Sequence, residues 1–266
     1  MEIAGQLGGE PLPTQWFPIN STSQLYVGQV VYSVADGVDT IATATGAADT
    51  TSKKVPLGIV VGTNNDVPVH SLTSNSNTIT GVITQAAQVA RENFGMEGQM
   101  VKGDKQAAVE VALITPLTLI KAKLYNSTLG TAPTIQTVTT GSTTGLGYTA
   151  NATDVAGAAD LATAHCRTGA NAGLSRITDD TSTTVIANDR AFQQDIAIGD
   201  TFVRVPLRPL GLSRVQTDSL ALFIDVSAAI GTNYWSINMH DLNLAEAGNE
   251  YAIFTFNADH FAGVRA

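Results

Sequence analysis

Hydrophobic and polar residues alternate along the stretch at residues 97–126, which we take as the spine of the fold. In the segment 107–114, two valines and a leucine fall on one face and Glu110 falls on the other. In the segment 117–124, two lysines alternate with apolar residues. A period of two residues is the spacing of a half-buried strand. Pro116 lies at the join, where a missing backbone donor matters least. The pattern predicts a strand, a bend and a second strand within an all-β unit.

The same alternation, or a short apolar run between turn residues, predicts further strands on both sides of this stretch. They fall at residues 25–34, 40–45, 55–62, 67–70, 77–83, 134–140, 175–177, 183–186, 201–206, 219–226, 234–239 and 251–257. Two segments have helical features instead. Residues 85–94 space their apolar side chains three and four apart, and the alanine-rich segment 154–165 begins with Asp154, a suitable N-cap. We expect an all-β or β-dominated fold, a β-barrel or sandwich of about a dozen strands with one or two short helices.

The first 22 residues predict an extended N-terminal arm, because they are rich in glycine and proline. Proline lacks the backbone donor that the centre of a sheet requires. Pro13 and Pro18 flank the pair Trp16 and Phe17, and we take these four residues as candidate partner-binding residues. The aromatic pair docks either on its own domain or on a neighbouring subunit. If it docks on a neighbour, deleting residues 1–20 should leave a folded body that no longer binds its assembly.

The composition of the chain changes after Asn126. Residues 127–153 are rich in threonine and glycine and predict a connection between two parts. A β-barrel-like domain is expected at 23–126 and a second β-rich part at 154–266. The second part is either a separate domain or a set of strands that return to the first barrel.

Charge excludes several classes of function. Charged residues make up 14% of the 266-residue chain, well below the usual quarter, and its net charge is −9. Low charge with abundant threonine and glycine favours a rigid shell or assembly component. The acidic balance lacks the basic footprint of direct nucleic-acid binding. No apolar run approaches the roughly 18 residues of a membrane span, and the N-terminus lacks the features of a signal peptide. We expect a soluble protein that is made in a cytoplasm and does not bind a membrane.

Two pairs of histidine and aspartate are candidate metal ligands, since imidazole and carboxylate suit several divalent ions. They are His240 with Asp241, and Asp259 with His260. Their separation matches no established metal motif, so we interpret these histidines as surface or capping residues. We predict no metal site.

A nucleophile is suggested by the adjacent His165 and Cys166. Neighbouring residues of a strand or helix point apart, so we interpret Cys166 as a small buried side chain. The glycine-rich segment 141–147 lacks the lysine and the strand-to-helix context of a phosphate-binding loop, which favours a flexible loop. The sequence therefore predicts no catalytic residue, no enzyme and no cofactor.

Several segments resemble small β-barrel proteins of tailed-bacteriophage virions. The resemblance lies in glycine-led strands and in a Pro-x-Gly-Ile-Val strand, and it covers about half of the chain. The main segments are LYVGQVVYSVADGVDTIATAT at 25–45, VPLGIVVGTNND at 55–66 and EGQMVKGDKQAAVEVA at 97–112. The phrases GANAGLSRI and IGDTFVRVPLRP also resemble phage structural proteins.

The resemblance implies a capsid decoration or cement protein, located in the virion and assembled in the host cytoplasm. Such a β-barrel binds the major capsid protein and copies of itself at capsomer junctions, often as a homotrimer, and stabilises the shell against internal DNA pressure. Two alternatives stay open. One is another virion part, a major capsid or tail-tube protein. The other is a carbohydrate-binding or hydrolytic β module, which would need exposed aromatic platforms or a pair of carboxylates.

Overall fold

The computed structural model describes residues 1–9, 11–18, 25–34, 37–40, 55–63, 108–126, 133–151, 160–180, 184–218, 221–227 and 234–261. Within these ranges the chain is almost entirely β, which confirms the predicted fold class. The strands are β1 (Glu2–Gln6), β2 (Thr14–Pro18), β3 (Val30–Val34), β4 (Gly37–Thr40), β5 (Gly58–Thr63), β6 (Ala108–Leu113), β7 (Thr118–Tyr125), β8 (Ile135–Thr140), β9 (Gly147–Ala150), β10 (Asp160–Cys166), β11 (Ser175–Asp180), β12 (Val185–Asn188), β13 (Thr201–Val205), β14 (Gly211–Thr217), β15 (Ile224–Asp225), β16 (Trp235–Asn243) and β17 (Tyr251–Phe256). A single-turn 3₁₀ helix follows at Ala258–His260. No helix among the described residues is long and apolar enough to cross a membrane.

Strands from distant parts of the chain form a barrel, which we call the central barrel. β7 pairs with β17 on one side and with β1 and β15 on the other. β14 and β16 complete the circuit from β15 to β17, so that β7, β15, β14, β16 and β17 form a closed ring with β1 beside β7. Neighbouring strands are antiparallel except β15 and β7, which are parallel.

Two further β units are formed by segments that lie, in sequence, between strands of the central barrel. Strands β2–β6, between β1 and β7 in sequence, form a five-stranded sheet in the order β2-β6-β5-β3-β4. Strands β8–β13, between β7 and β14, form a closed six-stranded barrel in the order β10-β11-β12-β9-β8-β13. The sheets divide the chain differently from the predicted parts at 23–126 and 154–266, because β7 belongs to the first part but pairs with strands of the second. The C-terminal strands therefore return to the sheet that contains β7.

The central barrel encloses the largest apolar core. Its own strands contribute Ile120, Ala122, Leu124, Val215, Ile224, Trp235, Ile237, Met239, Ala252, Phe254 and Phe256. Val30 and Ile59 of the five-stranded sheet join this core, as do Val203 and Val205 of β13. The five-stranded sheet and the six-stranded barrel each have a smaller core of their own. Burial of apolar surface in the shared core holds the three units together.

The predicted helix at 154–165 is wrong over its described part, because Asp160–Cys166 is strand β10. Ala164 and Cys166 lie in the core of the six-stranded barrel, where Cys166 is paired with Phe202 of β13. The interior of such a small barrel is filled by alternating small and large side chains. Packing therefore overrides the helix propensity of alanine. The predicted helix at 85–94 lies outside the described residues.

The predicted strand at 219–226 is reduced to Ile224–Asp225 among the described residues. The carboxylate of Asp218 accepts hydrogen bonds from the backbone N–H groups of Leu222, at 2.7 Å, and Phe223, at 2.8 Å. These two donors are consequently engaged in a turn and do not join a strand ladder.

The predicted N-terminal arm is extended, but the chain's own sheets hold two parts of it. β1 pairs with β7 from Glu2 opposite Lys121 to Gln6 opposite Thr118. β2 pairs with β6, and Ile3 packs against the central core. Deleting the arm would remove an edge strand from each of two sheets, which makes deletion unsuitable as a test of binding.

Candidate interaction surfaces

The four predicted partner-binding residues lie on or beside the edge strand β2. Trp16 is 51% exposed, whereas Phe17 packs against the core of the five-stranded sheet. Pro13 precedes the strand and is exposed, with its carbonyl oxygen accepting a hydrogen bond from the N–H of Leu113 at 2.9 Å. Pro18 is the last residue of the strand. Alternation along β2 therefore separates the aromatic pair, and Trp16 is the member presented to solvent.

Trp16 lies at the end of a short row of residues across three strands. Its partner on β6 is Glu110, whose partner on β5 is Gly62. A Cβ built at Gly62 would lie 2.8 Å from Glu110 Oε2, so the absence of a side chain leaves space for this carboxylate. Val61, in the bulge beside Gly62, is 40% exposed. The sheet thus presents an indole, a carboxylate and an aliphatic side chain from a hydrogen-bonded scaffold.

Cys166 is fully buried in the six-stranded barrel, which confirms its interpretation as a small core residue. Burial raises the pKa of its thiol to about 11, and its Sγ donates to the carbonyl of Thr168 at 3.0 Å. His165 lies on the other face of β10, with Nδ1 2.8 Å from Ser175 Oγ. The thiolate is the nucleophilic form of cysteine, so this environment favours a structural role.

The candidate metal ligands are placed on the central barrel and the segment that follows it. His240 and Asp241 are exposed on β16, and His240 Nε2 lies 3.3 Å from Thr255 Oγ1. Asp259 is exposed in the 3₁₀ turn. In the part of the chain that the structure describes, no three histidine, cysteine or carboxylate side chains converge on a metal position.

The glycine-rich segment 141–147 packs closely against the backbone of the 192–196 segment. Ser142 and Ile196 exchange two backbone hydrogen bonds of 2.8 Å. Gly145 has a φ of +68°, and a Cβ there would lie 2.8 Å from the carbonyl oxygen of Phe192. These glycines permit the close approach of the two loops. The segment 141–147 was predicted to be a flexible loop, and in the structure it is hydrogen-bonded to the 192–196 segment.

A cleft of about 440 Å³ lies on the outer face of the central barrel. Its lining combines apolar, aromatic and charged residues from four segments of the chain. They are Met1, Glu2, Lys121, Lys123, Leu222, Phe223, Glu246, Asn249 and Tyr251. The paired strands β7 and β17 supply Lys121, Lys123 and Tyr251. Glu2 is the first residue of β1 and Met1 precedes it, and the remaining residues come from two turns. We call it the barrel cleft.

The charges of the barrel cleft are only partly neutralised within the chain. Lys121 Nζ lies 3.1 Å from Glu2 Oε1 and 4.6 Å from the centre of the Tyr251 ring. Lys123 is exposed, as is Glu246, and neither side chain forms an ion pair with another described residue. Within the described ranges, one cation and one carboxylate of the lining therefore have no charged partner.

The α-amino group of Met1 lies at the cleft, in addition to the ammonium groups of Lys121 and Lys123. It donates to the carbonyl oxygens of Gly28 at 2.8 Å and Leu222 at 2.9 Å. Burial lowers its pKa to about 6, although the nearby carboxylates of Asp218 and Glu2 oppose this shift. At neutral pH the amino group is accordingly mostly uncharged.

Buried charged residues brace the turn that carries Glu246. Arg167, which directly follows β10 of the six-stranded barrel, donates from Nε and Nη2 to the carbonyl of Leu244 at 3.0 and 2.8 Å. Its Nη2 also lies 2.5 Å from Glu250 Oε1, and the two side chains are only 8% and 1% exposed. The guanidinium thus holds both ends of the turn. Asp218 fixes the opposite wall through its bonds to Leu222 and Phe223 described above.

Sequence reasoning named Trp16 as a candidate partner-binding residue and gave no indication of the barrel cleft. Its residues come from segments far apart in the chain, and no motif connects them. Two lysines on one face of β7 were the available signal, but their alternation predicted only a solvated strand face. Comparison of the chain with known protein families, with curated proteins and with solved structures found no match.

Proposed function

We propose that this chain is a structural protein of a tailed-bacteriophage virion, of the capsid decoration type, which binds the head surface through repeated protein–protein contacts. The observation that carries the proposal is the half-exposed Trp16, held on a strand that pairs with β6 over its whole length. Tryptophan is enriched among the residues that dominate interface energies. The segments that resemble phage barrel proteins supply β3, β5 and β6, the scaffold to which this edge strand is attached.

The contribution expected from Trp16 is moderate for one copy. A tryptophan buries at most about 250 Å², so roughly 100 Å² remains for a partner to cover. At about 25 cal/mol per Å² this corresponds to about 2.5 kcal/mol per copy. Many copies on one head add such contacts by multivalency, which is how a decoration protein stabilises a shell.

The proposed partners are the major capsid protein and further copies of this chain, in a homo-oligomer that we expect to be a trimer. The low charge and the predominantly β architecture support a rigid component of an assembly. Glu110 beside Trp16 is the polar group that would select a donor on the partner, since interfaces surround an apolar anchor with polar contacts.

The test is binding of purified protein to expanded heads of the phage that encodes it, measured by co-sedimentation, with the solution mass determined by light scattering. Trp16→Ala should weaken binding at least tenfold and leave the unfolding temperature unchanged. Leu212→Ala is the matched control, because Leu212 is 59% exposed on β14 of another unit. Equal binding of both variants, or a monomer that ignores heads, would refute the proposal.

A further inference from the structure

We propose that the barrel cleft binds a small zwitterion of the amino acid or dipeptide class, with the ligand carboxylate on Lys123 and the ligand ammonium on Glu246. Its volume of about 440 Å³ is within the usual range of small-molecule sites and offers roughly the space of a dipeptide. The site uses none of the residues at the Trp16 surface, so the inference is independent of the proposed function.

The charges of the lining favour a ligand that carries both signs. Lys121 is neutralised by Glu2, and Met1 contributes little positive charge at neutral pH because of its low pKa. Lys123 and Glu246 are then the two charges of the lining that a ligand can satisfy. Glu246 would repel a ligand that carries only negative charge, and Lys123 would repel a ligand that carries only positive charge. A zwitterion complements both side chains.

The apolar part of the lining accounts for the body of such a ligand. Leu222 and Phe223 line one wall, and Phe223 is fixed further by a ring contact with Tyr125 at a centroid distance of 5.5 Å. Asn249 supplies an amide on the wall of Glu246, where it can pair with a peptide group. Ligand sites typically combine an apolar surface with a few polar groups that set orientation.

Both walls are held in place before any ligand arrives. Asp218 fixes the wall of Leu222 and Phe223, and Arg167 with Glu250 fixes the turn that bears Glu246. The backbone N–H of Asn249 also donates to the carbonyl of Glu246 at 3.2 Å, which closes that turn. A preorganised site loses less conformational entropy on binding, so a small ligand can bind measurably.

The experiment is calorimetric titration of the full chain with the dipeptide Ala-Phe. N-acetyl-Ala-Phe removes the ligand ammonium, and Ala-Phe-amide removes the ligand carboxylate. We expect saturable binding of Ala-Phe at neutral pH, and about tenfold weaker binding for each blocked form, the usual effect of one charge-assisted hydrogen bond. Glu246→Gln should weaken Ala-Phe binding by a similar factor but leave the affinity for N-acetyl-Ala-Phe unchanged. Lys123→Gln should also weaken Ala-Phe binding about tenfold but leave the affinity for Ala-Phe-amide unchanged.

Arg214→Gln is the matched control, since Arg214 is an exposed cation 4.5 Å from the Tyr234 ring centre on the same barrel, outside the cleft. It should bind Ala-Phe as the unmodified chain does. No saturable binding up to about 20 mM dipeptide, or equal affinity for the free and blocked forms, would overturn the proposal. Trp16→Ala should leave dipeptide binding intact, so failure of this site and failure of head binding are separable.

Discussion

The buried ion pair between Arg167 and Glu250 joins the six-stranded barrel to the central barrel, and its removal gives the sharpest test of the fold. Arg167→Met leaves the Glu250 carboxylate buried without its cation, and Glu250→Leu leaves the guanidinium buried without its anion. Breaking a buried pair from one side typically costs about 3–5 kcal/mol. For a chain of this size that corresponds to a fall in unfolding temperature on the order of 10 °C.

The double variant separates the ion pair from simple loss of packing. Arg167→Met with Glu250→Leu leaves no unpaired buried charge at this site, so we expect it to be no less stable than either single variant. Urea denaturation followed by circular dichroism gives the four free energies of unfolding, and their cycle gives the coupling. The exposed pair of Glu2 and Lys121 is the control, and Glu2→Gln should change stability by less than about 1 kcal/mol. Additive losses in the double variant would refute the reasoning.

Three further predictions concern single side chains. Burial, with a smaller effect of the neighbouring guanidinium, lowers the pKa of His165 below 6.5. The unfolded chain then binds more protons just below pH 6.5, so the urea midpoint should fall on acidification from about pH 7.5 to about pH 5, and His165→Gln should reduce this fall. The Cys166 thiol keeps its proton up to about pH 11 when folded but ionises near pH 9 when unfolded, so stability should decline above about pH 9. A thiol reagent should modify it only as the chain unfolds, and rapid reaction of the native protein would contradict its burial. Gly58→Ala should lower the free energy of unfolding by about 3 kcal/mol, because its Cβ would overlap the carbonyl of Ala112. Gly173→Ala meets open space at a φ of +86° and should lower it by about 1 kcal/mol. Equal losses for the two variants in chemical denaturation would disprove the overlap.

The strands that sequence reasoning missed have patterns that only their surroundings explain. In β14, Leu212 is exposed while Ser213 and Thr217 are buried, the reverse of the usual order. In β10, alanines that favour a helix in isolation are small enough for the interior of a six-stranded barrel. In both strands the barrel partners decide the structure, and their identity is absent from the local pattern.

The sequence by itself determined the β character of the chain, the two strands on either side of Pro116 and the burial of Cys166. These properties follow from local alternation and from side-chain polarity, which act over a few residues. Tertiary structure alone decided that β7 closes a ring with C-terminal strands and that Trp16 faces solvent while Phe17 does not. Tertiary structure also forms the barrel cleft, and it brings together Arg167 and Glu250, which hold one wall of the cleft and lie 83 positions apart in the sequence. Closure of a barrel depends on which distant strands find each other, and a period of two residues carries no information about that choice.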